Sequence, residues 1–132
     1  MLNSPRSIVE TAKCDAWATT ELSPEEEIYR ASHKFASYVD LVFSEIDARL
    51  SLSRHQQFVK KLVELLRRAP EIPAAAELCV RRCYFSEGSA VQDGFYLTLY
   101  VSGYGNDEAR ARQNWGVGLK LVKNAVIQLS RP

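Results

Sequence analysis

The chain has 132 residues, with 17 basic and 16 acidic side chains and 46% hydrophobic residues. Area scaling gives roughly 7,000 Å² exposed when folded against roughly 21,600 Å² unfolded, enough for one core and too little for two. The composition excludes collagen-like, fibrous and mostly disordered chains, and no apolar run approaches the ~20 residues of a membrane span. The opening MLNSPRSIVETAKCD lacks the apolar stretch of a secretory signal, and Cys14, Cys79 and Cys83 are too few and too odd for a disulfide framework. A cytoplasmic, reducing setting is therefore expected.

Residues 1–22 mix Ser, Thr, Asn and Pro with isolated apolar positions. They read as a loosely ordered arm, with Trp17 and Leu22 as docking points, ahead of a single domain over 23–132. Ser23-Pro24-Glu25-Glu26 has the pattern of a capped helix start: a serine cap, proline in the first turn, and acidic residues that suit the helix dipole. Ile28, Ser32, Phe35, Val39, Val42, Ile46 and Leu50 follow at steps of three and four, which predicts one long helix from there to about Leu50. Ser53 with Gln56 predicts a second helix from about Arg54. Its apolar stripe is Phe58, Leu62, Leu65, Leu66 and Ala69, and Pro70 and Pro73 end it.

From Glu77 the period becomes two. Leu78, Val80, Arg82 and Tyr84 alternate with Cys79, Arg81, Cys83 and Phe85, and Phe95, Leu97, Leu99 and Val101 alternate with Tyr96, Thr98, Tyr100 and Ser102. With Glu87-Gly88-Ser89 through Asp93-Gly94 as the link, these segments predict a β-hairpin. Gly103-Tyr104-Gly105 reads as a further turn, and Asn106 or Asp107 as the cap of a closing helix bearing Ala111, Trp115, Leu119, Val122, Val126 and Leu129. Gly116 and Gly118 lie within that helix and suggest close packing on the hairpin. The expected architecture is α+β in the order α-α-β-β-α. Two strands alone are marginal, so the sheet calls for a helix layer or a strand from another chain.

No catalytic or metal constellation emerges. Cys79 and Cys83 share a strand face but stand about 13 Å apart, too far for one zinc. His33 and His55 have no adjacent thiol or carboxylate in the pattern. There is no nucleophile elbow, HExxH, P-loop or dinucleotide fingerprint. Gly103-Tyr104-Gly105 lacks the lysine of a phosphate-binding turn, and Asp107 and Glu108 would repel a phosphate. No enzyme activity, cofactor or metal is expected.

Charge is uneven along the chain. Residues 1–52 hold five Lys/Arg against nine Asp/Glu, and residues 53–132 hold twelve against seven. The first reading is a protein-interaction or adaptor module that self-associates, a homodimer being expected, with Trp17, Phe35, Tyr38, Val42 and Phe43 as its contact residues. The second is a nucleic-acid partner on Lys60, Lys61, Arg67, Arg68, Arg81 and Arg82, with strand tyrosines as stacking planes. From Phe58 onward, a helix, antiparallel strands and a closing helix are loosely similar in outline to a double-stranded-RNA-binding domain. The sequence departs from that family in lacking a third strand and a lysine-rich turn before the closing helix, so membership is not inferred.

Overall fold

The computed structural model describes residues 9–87 and 89–130, and over much of the first predicted helix it has a strand instead. In residues 33–43, Phe35, Ser37, Val39, Leu41 and Phe43 alternate with Ala36, Tyr38, Asp40 and Val42. Both sets are largely apolar, so a spacing of three and four overlies a spacing of two. The β-branched and aromatic residues then favour the extended chain. The helix-start signal at Ser23 is real but short. The Glu26 carboxylate accepts a hydrogen bond from the Ser23 backbone N–H at 2.9 Å, and the chain turns through a 3-10 helix over Pro24–Tyr29 only. Arg30 then adopts a left-handed conformation with φ of 50°.

The elements run β1 (Val9–Thr19), the 3-10 helix, β2 (His33–Phe43), α1 (Ile46–Arg49), α2 (Leu52–Leu66), β3 (Ala74–Glu87), β4 (Ala90–Gly105) and α3 (Glu108–Ser130). The order β-β-α-α-β-β-α corrects the expected α-α-β-β-α, while the α+β class stands. Part of the expected N-terminal arm is an edge strand, β1. Residues 1–8 of that arm, Gly88 of the expected turn, and the side chains of Glu25 and Ile28 lie outside the described residues.

One antiparallel sheet holds all four strands in the order β1-β2-β4-β3. The two-strand hairpin of the sequence reading thus gains its neighbours from within the chain. Its strands are also longer than expected. Asp93-Gly94 and Gly103-Tyr104-Gly105, both read as turns, lie inside β4. Gly103 belongs in a strand here because α3 rests directly on it: a Cβ at Gly103 would come within 2.0 Å of the Trp115 backbone nitrogen.

Both long helices cover one face of the sheet. Leu41, Leu97, Leu99 and Val101 from the strands meet Phe58 and Leu62 of α2 and Val122 and Val126 of α3. Each such side chain contributes about 1.5–3 kcal/mol on full burial. Ser51, two residues ahead of the expected cap, accepts the Arg54 N–H at 3.2 Å, and Asp107 accepts the Arg110 N–H at 2.7 Å to start α3. Trp115 ties α3 to β2, donating from Nε1 to Ser37 Oγ at 2.7 Å while its ring lies 4.6 Å from that of Phe35. No described helix is long and apolar enough to cross a membrane.

Candidate interaction surface

Because side chains alternate along a strand, the residues between those of the core form a second face that neither α2 nor α3 covers. Strand register sets them in rows. Asp15, Tyr38, Tyr100 and Glu77 make one row across β1, β2, β4 and β3. Lys13, Asp40, Thr98 and Cys79 make the next, and Trp17, Ala36, Ser102 and Ala75 a third. Trp17, Tyr38 and Tyr100 form a diagonal aromatic ladder, with ring centroids 6.3 Å and 6.5 Å apart and planes tilted by 56° and 48°. The separations suit tilted aromatic contacts. Trp17 remains 43% exposed at the outer end.

Beside the ladder runs a chain of hydrogen bonds. Arg81 donates from Nη2 to the Tyr100 hydroxyl at 2.6 Å and from Nε to Thr98 Oγ1 at 2.9 Å. Thr98 Oγ1 in turn donates to Asp40 Oδ1 at 2.7 Å. Thr98 is only 3% exposed, so this chain gives a buried hydroxyl both a donor and an acceptor. It also holds the guanidinium beside the Tyr100 hydroxyl.

The 3-10 helix closes one end of this face. Tyr29 stacks on Tyr104 with centroids 4.2 Å apart and planes within 7°, and its hydroxyl donates to the Ala74 carbonyl at 3.2 Å. Glu26 pairs with Lys34 at 2.8 Å and accepts from the Tyr104 hydroxyl. Burial alone would raise the Glu26 pKa. Hydrogen bonds from Lys34, Tyr104 and the Ser23 backbone outweigh it and bring the carboxyl down to about 2. Desolvation, reinforced by the Glu26 carboxylate, pushes the Tyr104 hydroxyl well above its ordinary value. This end is thus a tightly bonded plug, and the open part of the face lies beyond it.

The candidate residues separate. Trp17, Tyr38 and Val42 lie on the open face. Phe35 faces α3, and Phe43, 5% exposed, lies in the core between the rings of His55 and Phe58. Lys60, Lys61, Arg67 and Arg68 are exposed on α2 and just past its end. Arg81 and Arg82 are exposed on β3, where alternation sends them to opposite faces, so the six bases do not share one surface. Tyr100, Thr98 and Asp40 were missed as partners of Trp17 and Tyr38. Only their period-two spacing hinted at them, and that spacing became readable as one face once residues 33–43 were strand.

Comparison with known protein families, curated proteins and solved structures finds no match. Among the described residues no cluster of three His, Cys, Asp or Glu side chains has the geometry to hold a metal ion. An open groove of about 830 Å³ lies between the end of α2, the start of β3 and α3. It is walled by Leu66, Ile72, Val101, Leu121 and Val122, and Arg67 and Glu71 are its charged lining residues. Among the described residues no histidine, cysteine or serine lines it. His55 is buried in the core, its Nδ1 2.7 Å from the Ser51 carbonyl.

Proposed function

We propose that the chain is a non-enzymatic protein-interaction module that self-associates through the open sheet face and its β1 margin. The observation that carries this reading is the ladder Trp17–Tyr38–Tyr100. It places a partly exposed tryptophan and two tyrosines on the sheet face left open by both long helices. Tryptophan and tyrosine are favoured as contact anchors because each adds a large area with few rotatable bonds. Asp15, Asp40 and Glu77 stand on the same face as Lys13 and Arg81, a mixed-sign rim that suits a protein better than a polyphosphate.

The solution mass by light scattering, at low and moderate salt, tests the proposal. A discrete dimer is expected at both salts. Trp17→Glu combined with Tyr38→Glu should weaken it at least about tenfold, since two anchors lose their contact. Trp17 is exposed and Tyr38 is half-buried on the open face, outside the core, so circular dichroism should be unchanged. A monomer at every concentration, or a dimer indifferent to the double substitution, would overturn the proposal.

A second reading is favoured by one separate observation. The helix layer is basic on its solvent side: α2 and α3 carry Arg54, Lys60, Lys61, Arg110, Arg112, Lys120 and Lys123 against Glu64 and Glu108. An anionic partner, nucleic acid included, would meet that layer rather than the sheet.

A further inference from the structure

In the order β1-β2-β4-β3, β1 is an end strand, and among the described residues no strand pairs with its outer edge. Every residue from Thr11 to Ala18 is exposed, because the helices sit chiefly over β4 and β2. Edges of this kind are commonly protected by a charge that has no counterpart on an approaching strand. In β1 the charge does have one. Lys13 and Asp15 flank Cys14, and both stand on the open face of the sheet. A twofold axis through Cys14 makes that triplet self-complementary. An antiparallel second copy sets Lys13 opposite Asp15 of the second copy, and Asp15 opposite Lys13, so two ion pairs form across one junction.

The same register agrees with the other side chains. Ala12, the residue at which pairing with β2 steps, comes opposite Ala16, and both are small. The irregular step in pairing between Thr11 and Lys13 shortens the regular ladder, so the central pairs about Cys14 are the decisive ones. The other sheet edge is less suited. On β3, Arg81 is committed to Thr98 and Tyr100 of its own sheet, and Leu78, Cys79 and Val80 are already half-buried.

We propose that two copies of this chain join by antiparallel pairing of their β1 edges, in the register that sets Cys14 opposite Cys14 and Lys13 opposite Asp15. The result is a continuous eight-stranded sheet with two aromatic ladders on one face. This deepens, and rests on, the reading of the chain as a self-associating module.

Directly opposed residues of an antiparallel pair have Cα atoms about 4.5–5.5 Å apart, within the range a disulfide spans. Cys14 is exposed and free, so the pairing can be trapped. Treating the full chain with diamide lets two thiols join as a disulfide, the reagent taking up the two electrons and two protons they release. A covalent dimer is expected, absent in Cys14→Ser. In the untreated protein Lys13→Asp should weaken the dimer roughly tenfold by facing acid with acid at both symmetric positions. It should also slow the cross-linking, and Lys13→Asp with Asp15→Lys should restore both. A dimer that Cys14 does not cross-link, one cross-linked equally in Cys14→Ser, or one indifferent to Lys13→Asp would overturn the edge register and leave self-association standing. A monomer at all concentrations would overturn both.

Discussion

His55 shows how much of the molecule's response to acid depends on one buried ring. It has no exposed surface and sits 4.5 Å from the Phe43 ring and 5.6 Å from that of Phe95, centroid to centroid. Desolvation pushes its pKa below the ordinary 6.5, with the Ser51 carbonyl and the Phe95 backbone opposing the shift. The folded protein therefore holds this proton less tightly than the unfolded chain does. The stabilisation is complete above pH 6.5 and drains away as pH falls below it toward the folded value, at up to about 1.4 kcal/mol per pH unit. Urea unfolding of the wild type at pH 7 and pH 5 should show that loss, and His55→Leu should lose less over the same interval. Parallel losses in the two proteins would show that His55 is not the source. Glu26 does not confuse the test, because with its carboxyl at about 2 its own contribution holds above about pH 4.5 and is lost only as pH falls from there toward 2.

Within α3, two glycines read alike in the sequence and differ in the fold. A Cβ at Gly116 meets no atom within 4 Å, whereas one at Gly118 comes to 3.0 Å from the Ala74 methyl of β3. Gly116→Ala should therefore raise stability by about 0.5–1 kcal/mol through helix propensity alone. Gly118→Ala should show no such gain, because the strand must yield to admit the methyl. Thermal unfolding of the two variants checks this, and equal gains would mean that close packing is not what keeps Gly118 small. The expected close approach of helix and hairpin thus holds at Gly118 but not at Gly116, and Gly103, read as part of a turn, is a second point of close approach. Such contrasts mark how far local pattern reaches. The α3 stripe and its Asp107 cap were legible because Trp115, Val122, Val126 and Leu129 repeat with the helix period and nothing else competes. Residues 33–43 were not, because Tyr38 and Val42 make the second face of the strand nearly as apolar as the first. Ser23 and Glu26 truthfully announced a turn of helix, but a start signal carries no information about length. β1 was illegible for another reason. Ala12, Cys14, Ala16 and Ala18 do alternate with Thr11, Lys13 and Asp15, but these apolar side chains are small and exposed, so the alternation is a weak strand signal. Half of the candidate surface was therefore named residue by residue, in Trp17, Tyr38 and Val42, and attached to the wrong element.

The charge asymmetry read along the chain becomes an asymmetry between layers. The acidic first half supplies β1, β2 and the 3-10 plug, while much of the basic excess lies on α2 and α3, on the far side of the core from the aromatic ladder. Lys61 on α2 and Arg68, two residues past its end, lie seven residues apart, with Lys60 and Arg67 repeating the spacing beside them. Two contacts of this kind on opposite layers are separable by mutation. Lys61→Glu with Arg68→Glu should lower retention on a heparin column and flatten its dependence on salt. Each lost phosphate-like contact removes about 0.7–0.9 from the slope of log affinity against log salt. The same variant should keep the wild-type solution mass, because neither residue lies on the open sheet face. Trp17→Glu should do the reverse, shifting the mass and leaving heparin retention as it was. If the α2 variant instead dissociates the dimer, the two layers act together, and the assembly must be bridged by the helix layer rather than by β1. If the α2 variant leaves heparin retention unchanged, the reading of the basic layer as a polyanion surface is overturned.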